Sequence, residues 1–269
     1  MGSLPELWES GVGGRGSKKD RLRRFFYDSR LPTPDPAKRD ILHPMSRKEL
    51  FEKVAMEQII GVVRENSVAV AESVAEAFAG NGIRILEVTL TTPEAFGLIE
   101  RFADKYAPLG VVIAAGTTRS ANDAAQARRA GAKIIVSPHT DVSVIEYANE
   151  HDLLCVAGAG TATEIIRAWE AGCDIVKVFP ALYLGGPDYI RTLRGPIRDV
   201  PMLAGGPVPL DTIESYLDAG CMAVNLGASL AVPDLVNTEQ WEEIGRRALL
   251  ATSIIQSRNV AVAADSYVH

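Results

Sequence analysis

The chain has 269 residues, of which 47% are hydrophobic, 23% charged and 6% aromatic. This composition is typical of a globular protein and excludes collagen-like, disordered and disulfide-scaffold classes. No apolar run approaches the ~20 residues that cross a bilayer, and no basic segment followed by an apolar stretch opens the chain as a secretory signal does. We therefore expect a cytoplasmic protein without a membrane partner.

Charge is distributed unevenly along the chain. Residues 1–44 hold nine Lys and Arg against six Asp and Glu, a net charge of +3, which leaves −9 on the remainder of a chain whose total is −6. That acidic remainder repels a nucleic-acid backbone, so no nucleic-acid partner is expected. The cysteines, Cys155, Cys173 and Cys221, lack CxxC spacing and indicate buried, reduced thiols. The four histidines show no HxH or HExxH spacing, so no metal site is predicted.

The first part of the chain differs from the rest. Residues 1–44 contain a glycine-rich run, a basic cluster and a proline-rich run, which together predict a mostly disordered or appended segment. One stretch of it, Arg23–Tyr27, is basic and aromatic, so the segment is also a candidate docking peptide for a partner. Met45 opens a predicted N-terminal helix with Ser46 as N-cap and Glu49 three residues later. We divide the chain into residues 1–44, a domain at 45–257 and a C-terminal tail at 258–269.

A unit recurs from Met45 onward, in which a helix ends at a small residue plus glycine and a short apolar strand follows. Glycine supplies the left-handed conformation that ends a helix, and continuous Val and Ile runs are typical of strands covered on both faces. Four copies carry this glycine, and less marked strands bring the total to eight βα units, which favours a single (β/α)8 TIM barrel of the α/β class. A Rossmann-like open sheet is the alternative, but it lacks a glycine fingerprint after its first strand. A last helix is expected from Thr238 to about Gln256. The predicted strands are Ile59–Val63, Ile85–Thr89, Val111–Ala115, Ile134–Ser137, Leu154–Ala157, Ile175–Val178, Met202–Ala204 and Ala223–Leu226.

Charged side chains are predicted inside this barrel, near the strand ends where such barrels carry their chemistry. Alternation along strand two directs Glu87 and Thr89 inward, and along strand six it directs Lys177 inward. Burial disfavours the ammonium form of a lysine, and a neutral amine attacks carbonyl groups to form a Schiff base. Glu87 is then the predicted proton shuttle. The alternative interpretation is a structural ion pair between Lys177 and Glu87.

Two glycine-rich turns follow the last strands and predict an anion site. Gly205-Gly206 follows strand seven, and Gly227-Ala228-Ser229 follows strand eight, where barrels frequently bind phosphate through exposed backbone N–H groups. Arg64 ends strand one and pairs either with a substrate anion or with a rim carboxylate. Thr117 follows strand three as a carboxylate donor or a turn hydroxyl. His139 is expected to be a capping or surface residue.

The motifs together resemble the 2-keto-3-deoxy-6-phosphogluconate (KDPG) and 2-keto-4-hydroxyglutarate (KHG) aldolases. The resemblance covers about Met45 to Pro233 and implies a class I aldolase that needs no metal or other cofactor and assembles as a homotrimer. The implied reaction cleaves a small 2-keto-4-hydroxy acid, KDPG or 4-hydroxy-2-oxoglutarate, to pyruvate and an aldehyde. The motifs that carry it are Gly61–Arg64, Leu86–Leu90, Ala115–Thr117, Ile135–Pro138, Val176–Ala181 and Gly205-Gly206.

The resemblance also implies roles for individual residues. Lys177 matches the Schiff-base lysine, Glu87 the general acid/base and Thr117 a donor to the pyruvate carboxylate. Ser229 and the glycine turns match the distal phosphate site. The full set expected to bind substrate is Arg64, Thr89, Thr91, Thr117, Pro138, Phe179, Gly205, Gly206, Gly227 and Ser229.

Two positions depart from the family pattern. Thr91 occupies a place where the pattern often has an arginine that grips the pyruvate carboxylate, so Arg64 is expected to supply that charge. Ala204 replaces the threonine of a Pro-Thr-Gly-Gly motif, and we expect the pocket to lose one hydroxyl there. Two other functions remain open: a phosphate-binding barrel isomerase or synthase, and a non-catalytic barrel scaffold with an N-terminal docking peptide.

Overall fold

A computed structural model describes the backbone of residues 45–266 and the side chains of residues 45–260. The predictions for residues 1–44, namely disorder and a docking peptide at Arg23–Tyr27, lie outside the described residues. None of the helices in the described part is both long enough and apolar enough to cross a membrane.

Eight parallel strands close into one barrel in chain order, with β8 pairing to β1. This confirms the predicted (β/α)8 architecture over the open sheet. Every strand lies within two residues of its predicted position at either end. The strands are β1 (Ile59–Val63), β2 (Ile85–Thr89), β3 (Val112–Gly116), β4 (Ile134–Val136), β5 (Leu154–Ala159), β6 (Ile175–Val178), β7 (Met202–Ala204) and β8 (Ala223–Leu226).

Helices alternate with the strands, and local sequence signals explain where they begin. The predicted capping box is present. The Ser46 hydroxyl accepts a hydrogen bond from the Glu49 N–H, and the Glu49 carboxylate accepts one from the Ser46 N–H. Thr161 forms a second capping box, whereas Ser67 and Ser120 each cap a later helix by accepting one hydrogen bond from a backbone N–H. The helices are α1 (Arg47–Glu57), α2 (Val68–Gly80), α3 (Ala95–Tyr106), α4 (Ala121–Arg129), α5 (Val142–Glu150), α6 (Ala162–Glu170), α7 (Gly186–Arg194), α8 (Ile213–Asp218), α9 (Pro233–Asn237) and α10 (Trp241–Ser266).

The repeated glycines end helices as expected. Each stands between a helix and the following strand with a positive φ, where a side chain is strained. The four φ values are 96° at Gly82, 102° at Gly131, 93° at Gly172 and 105° at Gly220.

The last helix is longer than predicted. It begins at Trp241 and continues to Ser266, not to about Gln256, so the proposed boundary at residue 257 falls inside it. Residues 257–266 contain no glycine or proline and include three alanines. Such a segment continues a helix once it has begun.

Side-chain alternation along the strands divides the buried apolar residues into two layers. One layer fills the barrel interior and includes Ile60, Ile85 and Leu203. The other lies between the strands and the surrounding helices and includes Leu86, Val88 and Val178. Helix α1 adds Leu50 and Val54 to the interior layer. The interior at the opposite end, where the strands finish, is therefore left for polar side chains.

Candidate active site

A lysine and a glutamate meet inside the barrel. Lys177 on β6 is 6% exposed and Glu87 on β2 is fully buried, and the lysine Nζ lies 3.5 Å from the glutamate Oε1. Each occupies the inward position of its strand, between apolar neighbours that face the helices. The structure therefore brings together the two predicted catalytic residues, although β2 and β6 are not adjacent strands.

A third polar residue joins this pair, and sequence analysis missed it. Asn225 on β8 is 2% exposed, and its Nδ2 donates a hydrogen bond to Glu87 Oε2. Its Oδ1 is buried and has no hydrogen-bond partner among the described residues. The signal was the one that revealed Lys177: in Ala223–Leu226, alternation places Asn225 inward at the end of an apolar strand.

Two glycines allow the charged side chains to fit. A Cβ on Gly205 would lie 2.6 Å from Cγ and from Cε of Lys177, and a Cβ on Gly116 would lie 2.2 Å from Glu87 Oε1. Both distances are far below van der Waals contact. Gly205 was predicted as part of an anion-binding turn, and the structure places it against the Lys177 stem.

Lys177 opens onto a cavity of about 460 Å³. Five of the predicted site residues line this cavity, together with Asn225 and with Glu65, which had not been predicted. Burial raises the pKa of Glu65 to about 6. The five predicted residues are Arg64, Lys177, Phe179, Gly206 and Gly227.

Arg64 and Thr117 come together at the mouth of the barrel. Arg64 is exposed, and its guanidinium lies 3.4 Å from the Thr117 hydroxyl. Thr117 has a φ of 60°, a left-handed conformation that β-branched residues rarely adopt and that is often found at functional sites. Its hydroxyl and the guanidinium form a pair of donors suited to a carboxylate.

Thr89 and Thr91 form a hydroxyl cluster beside this mouth. Thr89 is fully buried, and its hydroxyl lies 3.0 Å from that of Thr91 and 3.2 Å from that of Thr92. Thr91 is exposed, whereas Thr92 is buried. Of the three, Thr91 presents the hydroxyl that solvent reaches.

The turn after β8 places Gly227 in the lining of the cavity beside Lys177, whereas Ser229 is not among the lining residues. The Ser229 hydroxyl is buried without a hydrogen-bond partner among the described residues. The carbonyl of Ser229 accepts bonds of 3.1 and 2.7 Å from the Arg247 guanidinium, which fixes the turn to α10. A Cβ on Gly227 would lie 3.1 Å from Val62 Cβ, so the turn also packs closely on β1.

Phe179 lines both the cavity beside Lys177 and a larger one of about 830 Å³. Lys177 Nζ lies 5.8 Å from the centroid of its ring. The predicted Pro138 lines the second cavity with Phe179 and packs against Gly158, where a Cβ would lie 2.2 Å from the Pro138 carbonyl carbon. His139 is an exposed residue, as predicted, with Nε2 4.0 Å from Asp141 Oδ2.

The expectation for Ala204 was wrong. Ala204 is fully buried in the layer between the strands and the helices, with Val178 and Met202. Alternation along β7 directs Leu203 and Gly205 inward and Ala204 outward. A side chain here does not enter the pocket, so an alanine removes no hydroxyl from it.

Potential metal ligands and the cysteine thiols are two further groups of side chains for which the sequence makes predictions. Residues 45–260 contain no group of three or more His, Cys, Asp or Glu side chains placed to hold a metal ion. All three cysteines are buried and unpaired. Burial raises the pKa of the Cys173 and Cys221 thiols to about 12, which makes them poor nucleophiles.

Comparison with known proteins agrees with this arrangement. A family model described as KDPG and KHG aldolase matches residues 50–247. The chain is 34% identical over 184 residues to the 2-dehydro-3-deoxy-phosphogluconate aldolase of Treponema pallidum, a match that spans 68% of this chain and 86% of the relative.

Two solved structures have the same fold. The KDPG aldolase of Zymomonas mobilis, solved with 3-phosphoglycerate, is 27% identical with a TM-score of 0.65, over 75% of this chain and 94% of that one. A cube-shaped protein cage designed by fusing symmetric oligomeric domains is 26% identical with a TM-score of 0.68, over 78% of this chain and 77% of that one. With its buried lysine, its glutamate and the matched motifs, the chain belongs to the KDPG and KHG aldolase family and is an aldolase, a carbon–carbon lyase.

Proposed function

We propose that the chain cleaves a phosphorylated 2-keto-3-deoxy sugar acid to pyruvate and a phosphorylated aldehyde through a Schiff base on Lys177. The observation that carries the proposal is the Lys177 amine, buried at the base of a cavity and 3.5 Å from Glu87. The alternative of a purely structural ion pair does not explain why the amine opens onto that cavity. The relatives are named for phosphorylated substrates, and the Zymomonas mobilis structure holds a phosphorylated acid.

The mechanism follows from these two side chains. Neutral Lys177 Nζ attacks the C2 carbonyl of the substrate, and proton transfer from the nitrogen to the oxygen gives a carbinolamine. Glu87 in its acid form gives a proton to the carbinolamine hydroxyl, which leaves as water, so that a protonated imine and a Glu87 carboxylate result. Glu87 takes the proton of the C4 hydroxyl as the C3–C4 bond breaks, and the electron pair moves into the imine to form an enamine. The aldehyde leaves. Proton transfer to C3 and addition of water then release pyruvate and restore the amine.

The other predicted residues bind the two ends of the substrate in this proposal. Arg64 and Thr117 hold the carboxylate next to C2. Backbone N–H groups at Gly206 and Gly227, with the unpartnered Ser229 hydroxyl, receive the distal phosphate.

The remaining members of the predicted set shape the walls around the reacting carbons. Phe179 lines the cavity beside Lys177, and Pro138 lines the neighbouring cavity together with Phe179. The hydroxyls of Thr89 and Thr91 extend the polar surface beside the strand ends. No cofactor or metal takes part in these steps.

We further propose a cytoplasmic homotrimer. The resemblance to the aldolase family supports this assembly, and the designed cage was built from symmetric oligomeric domains. Large apolar side chains such as Tyr183, which is 76% exposed in the single chain, provide surface that a subunit contact would cover. Light scattering should give three times the chain mass of 28.9 kDa.

Reductive trapping tests the proposed chemistry. Borohydride treatment with pyruvate should add a stable pyruvate-derived mass to Lys177, and Lys177→Met should abolish it. Glu87→Gln should slow turnover far more than trapping, because the glutamine retains the shape but not the proton transfer. Absence of an adduct on the wild-type chain would contradict the mechanism and favour a phosphate-binding isomerase or synthase.

A pyruvate-release assay across matched substrates tests the substrate class. KDPG should be cleaved with a higher kcat/KM than 4-hydroxy-2-oxoglutarate, since only the former carries a phosphate. Ser229→Ala should narrow that difference. A preference for the unphosphorylated acid would contradict the phosphate site while leaving the Schiff-base mechanism intact.

A further inference from the structure

We infer that Asn225 is a positioning residue for the aldol reaction, which holds Glu87 so that a single carboxylate oxygen, Oε1, exchanges protons at the Lys177 centre. The inference rests on the proposed function and adds to it a residue on a strand that contributes neither of the two catalytic side chains. It starts from the buried contact between the Asn225 amide and the Glu87 carboxylate.

The chemistry of the two groups fixes the orientation of the amide. An ionised carboxylate only accepts hydrogen bonds, so the atom that Asn225 turns toward Glu87 is the Nδ2 donor and not the Oδ1 acceptor. The contact is a hydrogen bond to a charged group between residues that are 2% and 0% exposed. Bonds of this kind are stronger than those between neutral groups, and water does not compete for them in a buried site.

The bond makes the two carboxylate oxygens unequal. Oε2 is occupied by Asn225, whereas Oε1 faces the Lys177 amine at 3.5 Å. A carboxylate without such a donor is free to turn about its terminal bond and to exchange its two oxygens. Asn225 therefore aims Oε1 at the reacting groups and keeps it there through the cycle.

The backbone of β3 also restricts the position of the Glu87 side chain. Gly116 on β3 lies so close to Glu87 that a Cβ there would be 2.2 Å from Oε1 and 2.6 Å from Cγ. Glu87 is thus confined between the backbone of β3 and the amide on β8. Loss of the amide removes the only side-chain hydrogen bond that reaches Oε2 among the described residues, and the carboxylate gains freedom on that side.

Kinetics of matched variants test the inference. Asn225→Leu keeps the branching of the side chain without a donor, and Asn225→Ala removes the donor with a smaller side chain, so the second serves if leucine perturbs the fold. Both should lower kcat by roughly tenfold to a hundredfold, with KM changed less than about threefold and trapping of pyruvate on Lys177 preserved. Ile60→Val, at the inward position of β1 that pairs with Asn225, should keep the wild-type kcat.

A double variant separates positioning from a general effect on structure. If Asn225 acts through Glu87, adding Asn225→Leu to Glu87→Gln should lower kcat no further than about twofold. Multiplication of the two single effects would overturn the inference, as would a kcat within twofold of wild type in both Asn225 variants. Failure of the wild-type chain to trap pyruvate would instead refute the proposed function itself.

Discussion

For individual residues, the space available to the buried Lys177 and Glu87 side chains depends on how closely the neighbouring backbone approaches them. Gly205 and Gly116 have no side chain to occupy the space that Lys177 and Glu87 need. We therefore expect the proposed catalytic pair to be sensitive to methyl groups added at these two glycines.

Gly205→Ala should slow Schiff-base formation on Lys177 while leaving the lysine itself in place. The new Cβ would lie 2.6 Å from two carbons of the Lys177 stem, so the amine must shift, and a displacement near 1 Å costs roughly a hundredfold in rate. We expect the rate of borohydride trapping with pyruvate to fall by about that factor. Gly80→Ala is the matched control, because its Cβ would meet nothing within 4 Å; it should trap pyruvate as the wild type does. Normal trapping in Gly205→Ala would show that the lysine has room to move.

Glu65 should make stability depend on pH. Burial raises its pKa to about 6 from 4.5, so the folded chain favours the protonated form and loses stability as pH rises from about 4.5 through 6. Glu65→Gln stays neutral and avoids that loss. Its free energy of unfolding should exceed that of the wild type by an amount that grows between pH 5 and 7 and then levels off, as measured by urea unfolding. The exposed Glu214→Gln controls for the loss of one charge, and a difference independent of pH would contradict the prediction.

At the scale of elements, α1 contributes two residues to the apolar layer inside the barrel. Leu50 and Val54 are buried with the inward residues of the strands, and Arg47 pairs with Asp174 next to β6 at 2.6 Å. The helix therefore behaves as part of the core, and its contribution should appear in stability more than in chemistry.

Leu50→Ala should lower the free energy of unfolding by about 2–5 kcal/mol, since a fully buried leucine leaves a cavity when it is truncated. Met56→Ala lies on the same helix at a side chain 65% exposed and should cost far less. Chemical denaturation of both variants, with kcat measured on the folded protein, tests this. Equal effects of the two substitutions would mean that α1 is not part of the cooperative core.

The strands and the catalytic pair were predictable because both depend on local patterns. Helix-ending glycines marked four of the strands, short apolar runs marked the others, and period-two alternation directed Glu87 and Lys177 inward. The same rule applied to β7 and β8 would have directed Ala204 outward and Asn225 inward. Ala204 was misjudged because its role was inferred from the resemblance, and Asn225 was missed because alternation was not applied along β8. The partner of Asn225 depends on closure of β8 onto β1, which no local pattern shows.

At the scale of the whole molecule, an acidic barrel must bind an anionic substrate. Residues from 45 onward carry a net charge of −9, so long-range attraction does not draw the substrate in. Among the residues that line the cavity beside Lys177, Arg64 and Lys177 are the basic side chains and Glu65 is the acidic one. We propose that binding relies on backbone N–H groups at the turns after β7 and β8, whose attraction acts over a few ångströms.

The barrel should also work without the first 44 residues. All eight strands, the catalytic pair and the cavity belong to residues 45–266, and the family match covers residues 50–247. A chain that begins at Met45 should therefore keep the kcat and KM of the full chain within about twofold and the same thermal midpoint. The basic charge of residues 1–44 is the basis for the predicted docking peptide, and if it binds a partner, that partner should be captured by the full-length protein and lost on truncation. A large fall in kcat on truncation would instead assign the segment a place in the catalytic assembly.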